Sequence, residues 1–367
     1  MSPSRRRADA APQLSLFDTT VIAPPAPPAE ARRRDAMASA YEDAAQLAAR
    51  LPEGLRLGTS SWSFPGWEGI VYAERQSVQD LARDGLGEYA RHPLLTTVGI
   101  DRSFYAPVPD ADYARYAAQL PPGFPCVSKA PHAIVSQTIA RGAAGEGGDP
   151  TPGGDGVLEP NPDFLSAARF VERHARPLLS AFRGHAGPVL LELPPIGPAD
   201  RLPPRDFLAR LDAFLGALPR ELRYAVELRE RAYLTPEYRE ILAAHGVAHA
   251  YTYWRAMPPP GAQARVVPVT NAPFALVRLS LKPGRRYEQE KARFHPFDRI
   301  VEPDLAMRDE VARILWEAAA ASMEGYVLVN NKAEGCAPLT VRALAERVAE
   351  GWERRERAPS ASERDRG

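Results

Sequence analysis

Eight short apolar runs, separated by segments of helical periodicity, constrain this chain more than any other feature. They are LRLGTS (55–60), LTTVGI (95–100), FPCVSK (124–129), PVLLEL (188–193), RYAVEL (223–228), VAHAYTY (247–253), FALVRL (274–279) and YVLVNN (326–331). Most are continuously apolar rather than alternating, the mark of strands covered on both faces and hence of a parallel sheet. Residues 77–89 and DADYARYAAQL have helical spacing, as does NPDFLSAARFVERHARPLL, whose Pro162 lies just inside an Asn161 cap. PRDFLARLDAFLGAL, TPEYREILAAHG, DLAMRDEVARILWEAAA and LTVRALAERVAE continue the series, with Thr235 and Gly246 as start and stop signals around the second of these. Only MPPPGAQARVVPVT, between the sixth and seventh runs, shows no helix. The alternation predicts an α/β fold, a (β/α)8 TIM-barrel-like single domain. A doubly wound open sheet is the alternative. That fold usually carries a glycine-rich phosphate turn after its first strand, and GTSSW is not GxGxxG.

Charge and cysteine content exclude several classes. Lysine plus arginine and aspartate plus glutamate both number 46, so no global field points to nucleic acid or an acidic partner. Cys126 and Cys336 lie far apart outside any CxxC pattern, which argues against a disulfide framework or structural zinc and fits a reducing cytoplasm. No apolar run reaches the roughly 18 residues that span a bilayer, and the basic start has its apolar stretch cut by Asp18. A cytoplasmic protein without membrane contact is expected. Proline, at 38 residues, concentrates partly in VIAPPAPPAEARRR. The composition predicts a flexible Arg/Ala/Pro-rich arm over residues 1–45, the barrel over 51–351 and a charged, disordered tail over 352–367. RGAAGEGGDPTPGGDG (141–156) reads as a long loop.

Barrel chemistry sits at the carboxyl ends of strands. Those ends carry Thr59, Ser60, Ser61 and Trp62; Asp101, Arg102, Ser103, Phe104 and Tyr105; Lys129; Glu192; Glu227 and Arg229; Tyr251, Tyr253 and Trp254; Arg278; and Asn330, Asn331 and Lys332. Charges at the rim of an apolar core are costly unless paired, so one reading pairs Glu227 with Arg229 or Arg278 and Asp101 with Lys129. The other makes them a site. Lys129, Arg229 and Arg278, with Thr59, Ser60, Asn330 and Asn331 and an aromatic wall of Trp62, Tyr105 and Trp254, suit an anionic or polyhydroxylated ligand. Glu227, with Glu192 or Asp101, would then supply acid–base chemistry. No HxH, HExxH or GxSxG pattern occurs, so neither a metal site nor a cofactor is expected.

Taken in order, GTSSWSFPGWEGIVY, IDRSFYAPVP, PCVSKAPHAI, LLELPP, AVELRERAYLTPEY, LVRLS and VLVNNKAEGCAP resemble the motifs of the YecE-like family, domain of unknown function 72. The resemblance runs from about Leu55 to Val348 and implies a TIM-barrel-type fold without an established activity. The family pattern is matched at Gly58, Thr59, Ser60, Trp62, Gly66, Trp67, Phe104, Tyr105, Lys129, Pro131, Glu227, Arg229, Arg278, Asn330 and Asn331. Departures cluster at strand ends. The usual Glu-Ile-Asn-Ser-Thr-Phe-Tyr is GIDRSFY here, a common glutamine is Glu192, and two common histidines are Ser280 and Cys336. These changes weigh against a metal-dependent site and suggest a ligand different from that of commoner relatives.

One apolar island interrupts the arm: QLSLF, residues Gln13, Leu14, Ser15, Leu16 and Phe17. It is similar to the pentapeptide by which bacterial proteins dock on the DNA-polymerase sliding clamp, where an extended peptide seats its apolar residues in a pocket. Two functional readings follow. In one the mouth binds a phosphorylated or nucleic-acid-derived anion, with or without catalysis. In the other the barrel is a non-catalytic adaptor recruited to the clamp through its arm.

Overall fold

The computed structural model describes residues 29–140 and 158–357. Eight parallel strands close into a barrel: β1 Leu55–Thr59, β2 Thr97–Ile100, β3 Cys126–Lys129, β4 Ala186–Glu192, β5 Tyr224–Glu227, β6 Ala248–Tyr253, β7 Phe274–Leu279 and β8 Glu324–Val329. Each pairs with its neighbours in sequence, and β8 returns to β1 along Leu55–Thr59. All eight apolar runs are barrel strands, and the pairing of β8 with β1 decides for closure over the open sheet.

Two apolar layers fix the direction of every strand side chain. Val127, Leu190, Ala225, Ala248, Ala250, Phe274, Leu276, Tyr326 and Leu328 form a compact cluster inside the barrel. The intervening residues, such as Val98, Leu191, Val226 and Val277, pack outward against the helices. Because side chains alternate along a strand, Ser60, Asp101, Lys129, Glu192, Glu227, Thr252 and Arg278 continue the inner phase at the carboxyl end.

The helices start and stop largely as their capping residues require. Thr235 accepts a bond from the Tyr238 amide, and Gly246 closes that helix at φ +64. The expected Asn161 cap is a correction. Asn161 Oδ1 does accept from the Asp163 amide (3.0 Å), but only a turn follows, its amide group donates to the carbonyls of Ala133 (2.8 Å) and Ser136 (2.7 Å), and the helix starts at Ala167 behind Ser166. The connection after β6 does hold a helix, Pro260–Val266, with proline in its first turn. Nor is the arm irregular up to residue 45. A helix spans Ala29–Ala48, where Ala44 and Leu47 are buried and Tyr41 donates to the Val71 carbonyl (2.8 Å). At the other end Ala337–Arg357 runs past residue 352, and Glu353 accepts from Arg50 (2.6 Å). Residues 13–17 and the loop at 141–156 lie outside the described residues.

The aromatic stretch after β1 is a strut between loops. Pro65–Trp67 makes a 3-10 turn, Trp67 is fully buried, and its indole donates to Asn331 Oδ1 (3.2 Å) in the loop after β8. Trp67 lies parallel to Tyr72, and Phe64 packs against both Trp67 and Phe297. A side chain at Gly66 would place its Cβ 1.9 Å from the Pro296 carbonyl oxygen, so the close approach of these two loops requires glycine.

Candidate functional site

Glu192 lies at the centre of the barrel mouth. Its Oε2 accepts from Lys129 Nζ (2.9 Å), from Arg229 Nη2 (3.0 Å) and from Arg278 Nη1. Glu227, paired in register with Glu192 on the adjacent strand, has both oxygens occupied. Oε1 accepts from Arg229 Nε (3.0 Å) and Thr252 Oγ1 (3.0 Å), and Oε2 from Arg278 Nη1 (2.9 Å). Asp101 is looser: its oxygens are 3.7 Å from Arg278 Nη2 and 3.9 Å from Lys129 Nζ, and its side chain is 25% exposed. Arg229 stacks over Trp254 at 3.8 Å and Lys129 sits over Phe104 at 3.9 Å, so aromatic faces back the two cations.

Electrostatics follow from this crowding. Burial by itself would raise the Glu192 carboxyl, but Arg229, Lys129 and Arg278 outweigh it and hold the group well below the usual carboxylate range. Burial opposes charge on Arg278, and Glu227, Glu192 and Asp101 more than compensate, so it is held firmly cationic. A buried network of this kind gains little net stability over apolar packing, because pairing chiefly offsets desolvation. What it does provide is fixed orientation of its donors.

The structure brings six of the expected residues into one network: Asp101, Lys129, Glu192, Glu227, Arg229 and Arg278. The pairs Glu227–Arg229, Glu227–Arg278 and Asp101–Lys129 all form. Ser60 lies on the inner phase and is buried. Asn330 accepts from the Lys332 amide and caps a 3-10 turn at Asn331–Ala333, while Asn331 is held by Trp67 and the Ala337 amide. Three expected residues stand apart. Thr59 points outward, its Oγ1 against Tyr89 Oη at 2.9 Å. Trp62 packs edge-on to Tyr116 and donates to the Leu81 carbonyl (2.8 Å) beneath the helix Val78–Asp84. Tyr105 is 56% exposed, and the ring against Lys129 belongs to its neighbour Phe104. His249 also faces outward, between Tyr238 and Gln263. Among the described residues no group of histidine, cysteine and carboxylate side chains could hold a metal ion.

A family model described as protein of unknown function DUF72 matches residues 56–364. The chain belongs to this family. Two crystal structures of DUF72 family proteins are similar to it. The Thermotoga maritima MSB8 protein is 17% identical with a TM-score of 0.52, covering 82% of this chain and 99% of its own. The Enterococcus faecalis V583 protein is 15% identical with a TM-score of 0.52, covering 81% and 95%. At these identities the likeness is one of fold. No curated protein matches the chain.

Two features of this DUF72 mouth go beyond the list of residues expected to bind. The first is a set of buried polar atoms without a protein partner: Ser60 Oγ, Trp254 Nε1, Arg278 Nε, Ser280 Oγ and Asn331 Nδ2. Such atoms are costly, and they gather where the charged network lies. Three of them can only donate. The second is Lys332, at the end of β8, a position to which sequence reasoning gives no role. Its residue is 8% exposed and its Nζ lies 4.2 Å from the centre of the Tyr287 ring. Burial and nearby Arg278 and Lys291 outweigh Asp101 and Glu288, lowering the ammonium to about 8. Four cations, Lys129, Arg229, Arg278 and Lys332, thus face three carboxylates. The helix Tyr287–Phe294 overhangs them and is tied down through Arg293 and Glu302 (2.5 Å), with Lys282 on the same carboxylate (3.0 Å).

Proposed function

We propose that the mouth of this barrel binds an anionic ligand, phosphorylated or nucleic-acid-derived, through donors held ready by Glu192 and Glu227. The carrying observation is the set of partnerless donors on a network whose three cations and three carboxylates balance, with Lys332 as one further cation beside it. An oxyanion would satisfy several of them at once, since phosphate and carboxylate oxygens only accept. Glu227 is better suited to orienting the arginines than to proton transfer, because donors fill both its oxygens. Asp101, more exposed and with longer contacts, is the carboxylate available for acid–base work on a bound ligand.

Replacing Trp254 by phenylalanine separates a ligand site from a structural one. The ring stays stacked on Arg229 while the buried donor is lost. Stability should hold or rise by about 1 kcal/mol, and affinity for inorganic phosphate should fall by about tenfold. Calorimetric titration with denaturant unfolding reads both. Lost stability with unchanged phosphate affinity would make the indole structural.

QLSLF supports a second reading in which the same chain is recruited to the sliding clamp by Gln13, Leu14, Leu16 and Phe17. A labelled peptide of residues 11–20 should bind the clamp and lose that binding on Phe17→Ala. Binding that ignores the substitution, or none, removes the idea.

A further inference from the structure

The chain holds 42 arginines and only four lysines, Lys129, Lys282, Lys291 and Lys332. Three of the four have a carboxylate partner. Lys129 meets Glu192 at 2.9 Å, Lys282 meets Glu302 at 3.0 Å and Asp304 at 3.2 Å, and Lys291 meets Glu288 at 3.8 Å. Lys332 alone makes no ion pair among the described residues, although it is buried beside a carboxylate-rich network. Its surroundings comprise the Tyr287 face, Arg278 and Lys291 as like charges, and Asp101 and Glu288 at longer range. A lysine that is desolvated and set beside other cations keeps its amine available as a nucleophile. An ordinary phosphate-binding lysine is the opposite case, and here Lys129, charged and fixed by Glu192, fills that part.

We propose that Lys332 is a nucleophilic amine and that the mouth captures anionic aldehydes or ketones, such as phosphorylated aldehydes or 2-oxo acids, as an imine. This rests on the anion-binding reading, which supplies the grip on the ligand's charged end. The neutral amine lone pair attacks the carbonyl carbon, and the carbonyl oxygen takes up a proton to give a carbinolamine. The nitrogen loses its extra proton, and the oxygen leaves as water when the carbon–nitrogen double bond forms. Amine and carbonyl thus give imine and one water, with no oxidant or reductant. Asp101 is the least buried carboxylate of the network and can carry the proton between nitrogen and departing oxygen.

The test uses the full chain with pyridoxal 5′-phosphate, a phosphorylated aldehyde, followed by borohydride reduction and peptide mapping. Lys332 should be labelled about tenfold faster than Lys282 or Lys291 at neutral pH, since its amine is deprotonated more readily. The labelling rate should climb as pH rises through about 8, where Lys332 gives up its proton. Lys332→Met and Lys332→Arg should both lose the fast adduct. Pyridoxine 5′-phosphate, which has the phosphate but no carbonyl, should compete. Labelling of Lys332 no faster than of the exposed lysines overturns the proposal. If pyridoxine 5′-phosphate still binds in that event, the anion site stands and only the imine falls. Fast labelling of Lys332 that pyridoxine 5′-phosphate does not slow would keep the nucleophile and remove the anion site.

Discussion

Glu192→Gln lowers the stability of the barrel by about 3–5 kcal/mol, the cost of leaving buried cations without their counter-charge. Lys129, Arg229 and Arg278 all converge on one Glu192 oxygen, and each of the three is buried. The amide keeps the volume and one acceptor but removes the charge, so the loss reflects electrostatics rather than packing. Denaturant unfolding measures it. Added phosphate should recover part of it, since an anion in the mouth restores charge balance. A loss below 1 kcal/mol would mean that solvent already screens the cluster.

Acidification gives the second large effect. His174 is buried against Ser128 Oγ (3.1 Å), and burial lowers it to about 3. His249, between Tyr238 and Gln263, is lowered to about 4, mainly by burial, with Gln263 and Glu227 opposing. Both are neutral in the folded chain while the unfolded chain protonates near 6.5. Below 6.5 the unfolded state therefore binds more protons, and stability falls with pH until the folded values are reached. From pH 7 to pH 5 the two together should remove about 4 kcal/mol, at about 1.4 kcal/mol per unit for each. His92, lowered to about 4 chiefly by burial, acts in the same direction, so His174→Asn should reduce the measured difference by its own share, about 2 kcal/mol, in unfolding experiments at the two pH values. Equal stability at pH 5 and pH 7 would contradict burial of the neutral rings.

The barrel is legible in the sequence because parallel strands, covered on both faces, appear as unbroken apolar runs. Those same unbroken runs hide which residues point inward. Thr59 and Ser60 are equally polar, yet only Ser60 shares the inner phase, and the difference shows once Lys129, Glu192, Glu227 and Arg278 set the period from the mouth. Trp62 follows a strand end and reads as part of a binding wall, but its indole is taken by the Leu81 carbonyl, as that of nearby Trp67 is by Asn331, through contacts remote in sequence. The Ala29–Ala48 helix was hidden because alanine and one leucine supply its buried contacts, with little amphipathic signal. Lys332 was visible as a residue at a strand end. Its lack of an ion pair beside several carboxylates is a tertiary property, as is the set of partnerless donors at the mouth.

The most direct test of an anion site is a diffraction structure of the protein soaked in selenate, located by its anomalous scattering. Selenate should lie inside the mouth, its oxygens within about 3.2 Å of the partnerless donors Arg278 Nε and Trp254 Nε1. Selenate confined to surface arginines, with ordered water bonded to those two atoms instead, would contradict an anion site.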